Sequence, residues 1–388
     1  MEVPSTRKPL RKKIALMLLA VVLAGGALEA ALRIAGFQHY PVVIPPIIWN
    51  GDEDRDLNHG LGMFVKDKAQ LWVPRAGVEV PYGAEQGEKI NSAGYRGPLR
   101  ASKPAAGVLR IIALGDSSTF GMGVPYPDTW CAQLESLLAA QGVQAEVIDA
   151  GVIGFTIEQG LERYEALGRG LSPQVVIAAF GATNEHIWAN TMPDRPKIDL
   201  FKQPATFRDG LMVLRRNVRI LHLAGWVVDR ARGEDREAIR AALKKERMNR
   251  DAFNLGVGKP DWPGQRRVGL ERFAVAHDEL AARVKADGAS LVLVSMPRGA
   301  DREVKAPVLP LYNQAVQDAA QRLNAGYFDA RAAVTAALAG PPPRPWAELF
   351  LDAYHPTRAG HALIAAGLAP IVKSLADARN ASSPASGR

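Results

Sequence analysis

Five short apolar runs constrain this chain more than any other feature. They lie at 108–114, 147–150, 175–180, 291–296 and 326–329. Within the longer runs apolar side chains fill both parities instead of alternating with polar ones. Such a strand must be buried on both faces. Helix-length stretches separate the runs. One helix is expected at about 128–140, where Pro125 and Pro127 prevent an earlier start. Another falls between the second and third runs, and a last amphipathic helix at about 357–376. A long, mostly helical insertion occupies about 186–285 between the third and fourth. Strands alternating with helices imply a parallel sheet covered on both sides.

In an open parallel sheet, ligands bind beyond the carboxyl ends of the strands. The residues placed there are therefore the candidates. The first run leads into Gly115-Asp116-Ser117-Ser118-Thr119-Phe120-Gly121, the second into Gly151-Val152-Ile153-Gly154-Phe155-Thr156. The third leads into Gly181-Ala182-Thr183-Asn184-Glu185. Beyond the fifth comes Asp352-Ala353-Tyr354-His355-Pro356. A serine, glycine-freed backbone N–H groups, an amide and an Asp/His pair are the parts of an acyl-transfer site. Asp352 and His355 are three residues apart, so the carboxylate can accept from the imidazole Nδ1–H within one turn. Pro356 biases His355 out of helical geometry and opens the final helix.

In order and content these segments resemble the four blocks of the SGNH (GDSL) hydrolase family. The resemblance covers about 108–376, apart from most of the insertion. It implies a three-layer α/β/α fold with a flavodoxin-like five-stranded parallel sheet, and serine esterase or related acyl-transfer activity without a cofactor. It also implies roles. Ser117 would be the nucleophile and give its own N–H to an oxyanion hole, with a second N–H from Gly154 and the side-chain amide of Asn184. His355 would be the general base and Asp352 its orienter. The segment Asn91-Ser92-Ala93-Gly94-Tyr95-Arg96-Gly97 resembles a lead-in of membrane-anchored bacterial members. There are two departures. The third block usually reads Gly-x-Asn-Asp, and Glu185 stands here after Asn184. A second serine, Ser118, follows Ser117, so the choice between them rests on alignment with the block. No lysine follows the glycines as a phosphate loop requires, and the Gly-x-Ser-x-Gly elbow is absent around Ser117. His361 is expected to be a packed or capping residue and His186 a surface one, with pocket lining as its alternative. Neither has metal-ligand spacing.

Charge then needs placing. The chain of 388 residues carries 48 Lys+Arg against 40 Asp+Glu, a net of +8. Residues 1–13 hold +4 and residues 195–250 hold +8, leaving −4 for the remainder. The first cluster abuts 15 apolar or glycine residues at 14–28. Cations followed by an apolar stretch form a membrane-targeting pattern with the N-terminus in the cytoplasm. Apolar residues resume after Glu29, which is spaced to pair with Arg33. Residues 14–37 therefore read as an uncleaved signal-anchor, with a signal peptide cut after Ala27 as the alternative. The body would then lie outside the cytoplasm, in the periplasm or beyond the cell, which argues against a nucleic-acid partner.

Domain organisation follows. Residues 1–13 form a cytoplasmic basic segment, 14–37 the anchor, and 38–107 a lead-in rich in Pro, Gly and short apolar runs. The hydrolase domain spans 108–376, with a small-residue tail at 377–388. One cysteine, Cys131, excludes an internal disulfide and a Cys-cluster zinc site. It is expected to be a small core residue on the first helix of the domain. Within the insertion, Arg215, Arg216 and Arg219 interleave with apolar residues as on an amphipathic helix, and 230–250 reads as a highly charged helix. The plain reading is a solvated face; the functional one is a lip toward anionic lipid headgroups or glycan.

The expected activity is hydrolysis of a short acyl ester, an O-acetyl group on an envelope glycan or lipid, through a Ser117 acyl-enzyme. The same residues would serve an O-acyltransferase that hands the acyl group to a sugar hydroxyl. A non-catalytic glycan- or protein-binding member is the third reading.

Overall fold

The computed structural model describes residues 7–37, 63–80, 87–181, 183–187, 189, 192–203, 217–231 and 257–382. Two compact units divide the chain: Met1–Asn50 with Gln203–Arg250, and Gly51–Lys202 with Asp251–Arg388.

The larger unit is built on a five-stranded sheet. Its strands are β3 (Leu109–Gly115), β4 (Ala145–Asp149), β5 (Val175–Ala179), β6 (Ser290–Ser295) and β7 (Gly326–Asp329). All pairings are parallel, in the order β4-β3-β5-β6-β7. Each apolar run of the sequence forms its strand to within two residues at either end. Alternate side chains face opposite layers. Ile111 and Ala113 of β3 join Val147, Val175, Ile177, Val292 and Val294 in one core cluster. That face is covered by the helices Trp130–Ala140 and Arg358–Ser382, through Trp130, Leu134, Leu138, Ile364, Leu368 and Val372. Ile112 and Leu114 point to the other face, against the helices Ile157–Arg163, Leu270–Ala286 and Leu309–Leu323. Phe273 and Tyr312 meet edge-on between the last two, with ring centroids 5.1 Å apart. The result is a three-layer α/β/α sandwich. Cys131 lies in its core, on the helix Trp130–Ala140.

Two boundaries differ from the sequence reading. Thr129 caps the first of these helices by accepting the Ala132 N–H, so it starts at Trp130 and not at 128. The last helix runs on to Ser382, because the expected tail begins with helix-compatible residues.

β3 pairs with β4 on one side and β5 on the other, so strand order reverses beside its carboxyl end. That is the topological switch point, where the connections diverge and leave a crevice. Ser117 is the second residue beyond β3.

The lead-in contributes an antiparallel hairpin, β1 (Phe64–Asp67) and β2 (Leu71–Pro74), and the buried pair Tyr95 and Arg96. The Arg96 guanidinium donates to the carbonyls of Phe120 (2.7 Å), Gly121 (2.7 Å) and Val124 (2.6 Å), and pairs with Glu88 (2.5 Å). It holds the turn that follows Ser117. The motif at 91–97 thus acts on the chain 24 to 28 residues further on.

Asp149 ends β4 fully buried, with Oδ1 accepting the Gly151 N–H at 3.1 Å and Oδ2 without a partner. Burial pushes its pKa up from 3.8 to about 7, against partial relief from Arg96 and Arg163. Between those values the native state holds a proton that the unfolded chain has lost. Stability attributable to this group is thus full below the unfolded value and declines as pH rises toward 7. Asp149→Asn keeps the acceptor for Gly151 and removes the titration. Its melting temperature should fall less between pH 5 and pH 8 than the wild type's. Equal falls in the two proteins would contradict this assignment.

In the smaller unit, the helix Arg7–Ile34 contains an apolar stretch, Lys12–Ile34, of mean hydropathy 2.2 and wholly unburied. It is long enough to cross a membrane, and a signal sequence has the same properties. Glu29 pairs with Arg33 at 2.8 Å and also accepts the N–H groups of Arg219 and Ile220, both at 3.0 Å. It thereby satisfies the first turn of the helix Arg219–Ala231. Trp226 of that helix meets Phe37 edge-on and carries Arg230 over its ring. Arg215, Arg216 and residues 232–250 of the charged insertion lie outside the described residues. A second helix of spanning length, Arg358–Ala381, is the core helix described above.

Candidate active site

The turn after β3 sets the serine. Asp116 caps the helix Ser117–Phe120, its Oδ1 accepting the Ser118 N–H at 2.8 Å. As first residue of that helix, Ser117 leaves its N–H among those with no partner inside the helix. Gly151 permits the second loop to approach, since a Cβ there would lie 2.5 Å from the Phe120 nitrogen. Ser117 and Ser118 then diverge. The Ser117 Oγ lies 2.8 Å from the His355 Nε2. Ser118 is buried and its hydroxyl donates to the Tyr354 carbonyl at 3.2 Å.

His355 is held from behind. Its Nδ1 lies 2.6 Å from Asp352 Oδ2, while Asp352 Oδ1 accepts the N–H groups of Tyr354 (2.7 Å) and His355 (2.9 Å). Partial burial alone would raise the Asp352 pKa. Hydrogen bonds from His355 and the two backbone N–H groups outweigh it and leave the carboxyl below its ordinary range. The 352–355 turn is braced by Trp346, whose Nε1 donates to the Asp352 carbonyl at 2.6 Å.

Gly154 adopts a left-handed conformation (φ +79°), which glycine takes without strain. Trp72 Nε1 donates to the Ile153 carbonyl at 3.1 Å, and Arg267 Nη1 to the Gly154 carbonyl at 2.8 Å. Fixing the Ile153 carbonyl also fixes the Gly154 N–H, because both belong to one planar trans peptide and point opposite ways. Arg267 stacks over the Trp72 ring at 5.6 Å and pairs with Asp194 at 2.7 Å. Trp72 and Arg267 lie 82 residues before and 113 after Gly154. No local pattern marks either.

Asn184 is brought to the same rim, but its amide is engaged. Nδ2 donates to the Phe155 carbonyl at 3.0 Å and to Asp116 Oδ2 at 3.2 Å. The bond to Asp116 is the longer of the two. Burial raises the Asp116 pKa, against relief from the Ser118 N–H and the His355 charge.

Glu185, the departure from the usual third block, has a definite place. Its buried carboxyl accepts the N–H groups of Gly181 (3.1 Å) and Ile157 (3.2 Å), tying two rim loops together. Burial and the neighbouring Asp116 push its pKa up to about 8.

Of the other histidines, His361 is fully buried and accepts the Trp130 N–H through Nδ1 at 3.1 Å. It is packed and capping, as its position implies. His186 is half-buried and not a surface residue; burial pulls its pKa down to about 4. Among the described residues no cluster of His, Cys, Asp or Glu could hold a metal ion.

A hydroxyl, an imidazole and a carboxylate in series at the switch point of this sheet define the class: a serine hydrolase acting on ester bonds. Residues 113–363 match the family model described as the GDSL-like Lipase/Acylhydrolase family, and the chain belongs to that family. Solved structures of similar shape include LAE5, an alpha/beta hydrolase enzyme from the metagenome of Lake Arreo, Spain. It has 18% identity and a TM-score of 0.42, covering 69% of this chain and 96% of that one. Axe2, an acetylxylan esterase from Geobacillus stearothermophilus, has 16% identity and the same TM-score, with 68% and 94% covered. TesA has 15% identity and a TM-score of 0.41, with 69% and 99% covered. No curated protein matches the chain in sequence.

Proposed function

We propose that the protein hydrolyses short acyl esters through a covalent intermediate on Ser117, with His355 as general base and Asp352 as its orienter. The observation that carries this is the unbroken series Ser117 Oγ, His355 Nε2, His355 Nδ1, Asp352 Oδ2, with gaps of 2.8 and 2.6 Å. The Ser117 oxygen attacks the ester carbonyl carbon while its proton passes to His355 Nε2. Asp352 keeps the imidazole in the tautomer that leaves Nε2 free to accept, and then stabilises the imidazolium without taking its proton. The carbonyl oxygen becomes an oxyanion, received by the N–H groups of Ser117 and Gly154 and by the Asn184 amide. When the tetrahedral species collapses, the bond to the alcohol oxygen breaks and the alcohol leaves with the proton from His355. Water then attacks the acyl group, giving its proton to His355, and the acid departs as Ser117 recovers its own.

The substrate in this reading is an O-acyl ester, such as an O-acetyl group, on an envelope glycan or lipid. The apolar N-terminal helix would hold the catalytic body at a membrane, on the side away from the cytoplasm. Supporting this are the cations at 7–13 ahead of the apolar stretch and the lack of any buried residue within that stretch. The test uses detergent-solubilised full-length protein, a small activated acetate ester and a fluorophosphonate probe. Turnover together with covalent labelling at Ser117 is expected. Turnover without labelling of Ser117 would reject the acyl-enzyme.

A positioning role for Trp72 is measurable in the same assay. Trp72→Phe keeps the ring and loses the donor to Ile153, so the Gly154 N–H is less firmly aimed. Deleting an oxyanion donor outright costs on the order of 100-fold in kcat. Loosening one should cost about tenfold, with KM little changed; a change confined to KM would point to substrate contact.

A further inference from the structure

The loop after β6 carries Met296-Pro297-Arg298-Gly299, at the same rim of the sheet as the serine and Asn184. Arg298 is only 4% exposed. Its Nη2 donates to the Gly181 carbonyl at 3.2 Å and to Asn313 Oδ1 at 2.5 Å. Its Nε and Nη1 are buried without a partner, and so is Asn313 Nδ2. Among the described residues no carboxylate forms an ion pair with it. Glu303 and Glu185 act on it from further away, and Glu303 is already paired with Arg331. His186, two residues from Asn184, has a buried Nδ1 with no partner at full hydrogen-bond geometry, although the Thr183 backbone acts on its ring, and it feels the Arg298 charge.

The surroundings place this cluster beside the reacting groups. Gly181, which accepts from Arg298, opens the loop that carries Asn184. On the other side the Gly299 N–H donates to the Ala353 carbonyl at 2.9 Å, and Arg302 stacks over Tyr354 at 5.2 Å. Arg298 therefore lies between the loops that bear Asn184 and His355.

A buried guanidinium is costly unless a counter-charge and acceptors surround it. Here two of its three nitrogens lack acceptors, and the adjacent unpaired group, Asn313 Nδ2, is a donor as well. Orphaned buried polar atoms are uncommon and call for a cause. What would complete the cluster is an anion rich in acceptor oxygens. A carboxylate supplies two oxygens and one negative charge, matching a single guanidinium, and it is dehydrated more readily than a phosphate dianion.

We infer that Arg298, with Asn313 and His186, forms a carboxylate-binding subsite, so that the preferred ester bears a carboxylate close to its scissile bond. This rests on the esterase reading above and narrows its substrate class. The carboxylate can belong to the acyl part, as in a dicarboxylic half-ester, or to the alcohol part, as in an O-acetylated uronic acid.

The experiment measures kcat/KM on full-length protein for two pairs of esters. One pair is O-acetyl methyl galacturonoside against O-acetyl methyl galactoside; the other is mononaphthyl succinate against naphthyl acetate. In one pair the anionic member should be favoured at least about tenfold, mainly through KM, and which pair it is identifies the source. Arg298→Gln should bring that ratio close to one, and Arg298→Lys should retain part of it. Ratios near one in both pairs for the wild type, with ester hydrolysis intact, would overturn the subsite and leave the esterase reading standing. Calorimetric titration of the wild type with galacturonate, monomethyl succinate and inorganic phosphate needs neither turnover nor a folded variant. Binding of a carboxylate but not of its neutral amide supports the subsite; binding of neither carboxylate, or of phosphate alone, removes it.

Discussion

Under the proposed mechanism Ser117→Ala should lower ester hydrolysis by about four orders of magnitude or more, while far-UV circular dichroism and melting temperature stay near those of the wild type. The size follows from losing the nucleophile of a unit whose members act together; what survives comes from the oxyanion donors and substrate binding alone. The folding prediction follows from the position, because among the described residues the Ser117 side chain bonds only His355 and is not part of the buried core. Asp352→Asn falls by about as much, since an amide that donates to Nδ1 leaves the proton on the wrong nitrogen. Ser118→Ala is the control. It loses one 3.2 Å bond to the Tyr354 carbonyl and no reacting group, so its rate falls only a few-fold. If Ser118→Ala were the inactive variant and Ser117→Ala the active one, the mechanism would have to be redrawn around the other serine.

Arg96→Met destabilises the larger unit by about 3–5 kcal/mol, read as a fall in the urea midpoint at unchanged slope. Methionine replaces the stem of the side chain but not its donors. Three carbonyls in the 120–124 turn lose their partner, and Glu88 loses its counter-charge. Buried carbonyls without donors keep their full desolvation cost, which is why the loss exceeds that of an ordinary ion pair. Arg322 makes the comparison. It pairs with Asp278 at 2.7 Å, but the two side chains are 46% and 47% exposed. Water solvates both charges in the variant as well, so Arg322→Ala should cost about 0–1 kcal/mol. Because Arg96 holds the turn behind Ser117, ester turnover in any folded Arg96→Met should also drop. Stability equal to the wild type's would show that the turn holds without it.

Much of this molecule was legible before any coordinates. The five apolar runs located the strands to within two residues, because burial on both faces leaves an unbroken apolar signature in a short window. Gly-Asp-Ser, Gly154, Asn184 and Asp-x-x-His were readable for the same reason: each is a local turn with its own chemistry. Cys131 and His361 lie where helical periodicity put them. His186 did not follow its expected surface placement: it is half-buried, and burial lowers its pKa, with the charges of Arg298, Arg266 and Arg302, all distant in sequence, adding to the effect.

Charge illustrates the boundary most sharply. Composition drew attention to the insertion at 195–250, where positive residues are dense. The geometry draws it instead to Arg298, one of 48 cationic residues and with no other within three residues of it in sequence. Its place in the loop after the fourth strand is legible in the sequence. Its burial and its unpaired donors could not have been foreseen.

The sequence by itself determined the strand–helix order, the rim on which the polar blocks stand, and the family to which they belong. Those properties depend on periodicity and turn chemistry, which act over a few residues. Tertiary structure alone decided that Ser117 and not Ser118 faces His355, and that Trp72 and Arg267 orient the peptide at Gly154. It also decided that the Asn184 amide is already engaged, and that Arg298 is buried without a counter-ion. Each of these is a contact between segments up to 238 residues apart. Such contacts exist only once the sheet has brought its strand ends to one edge.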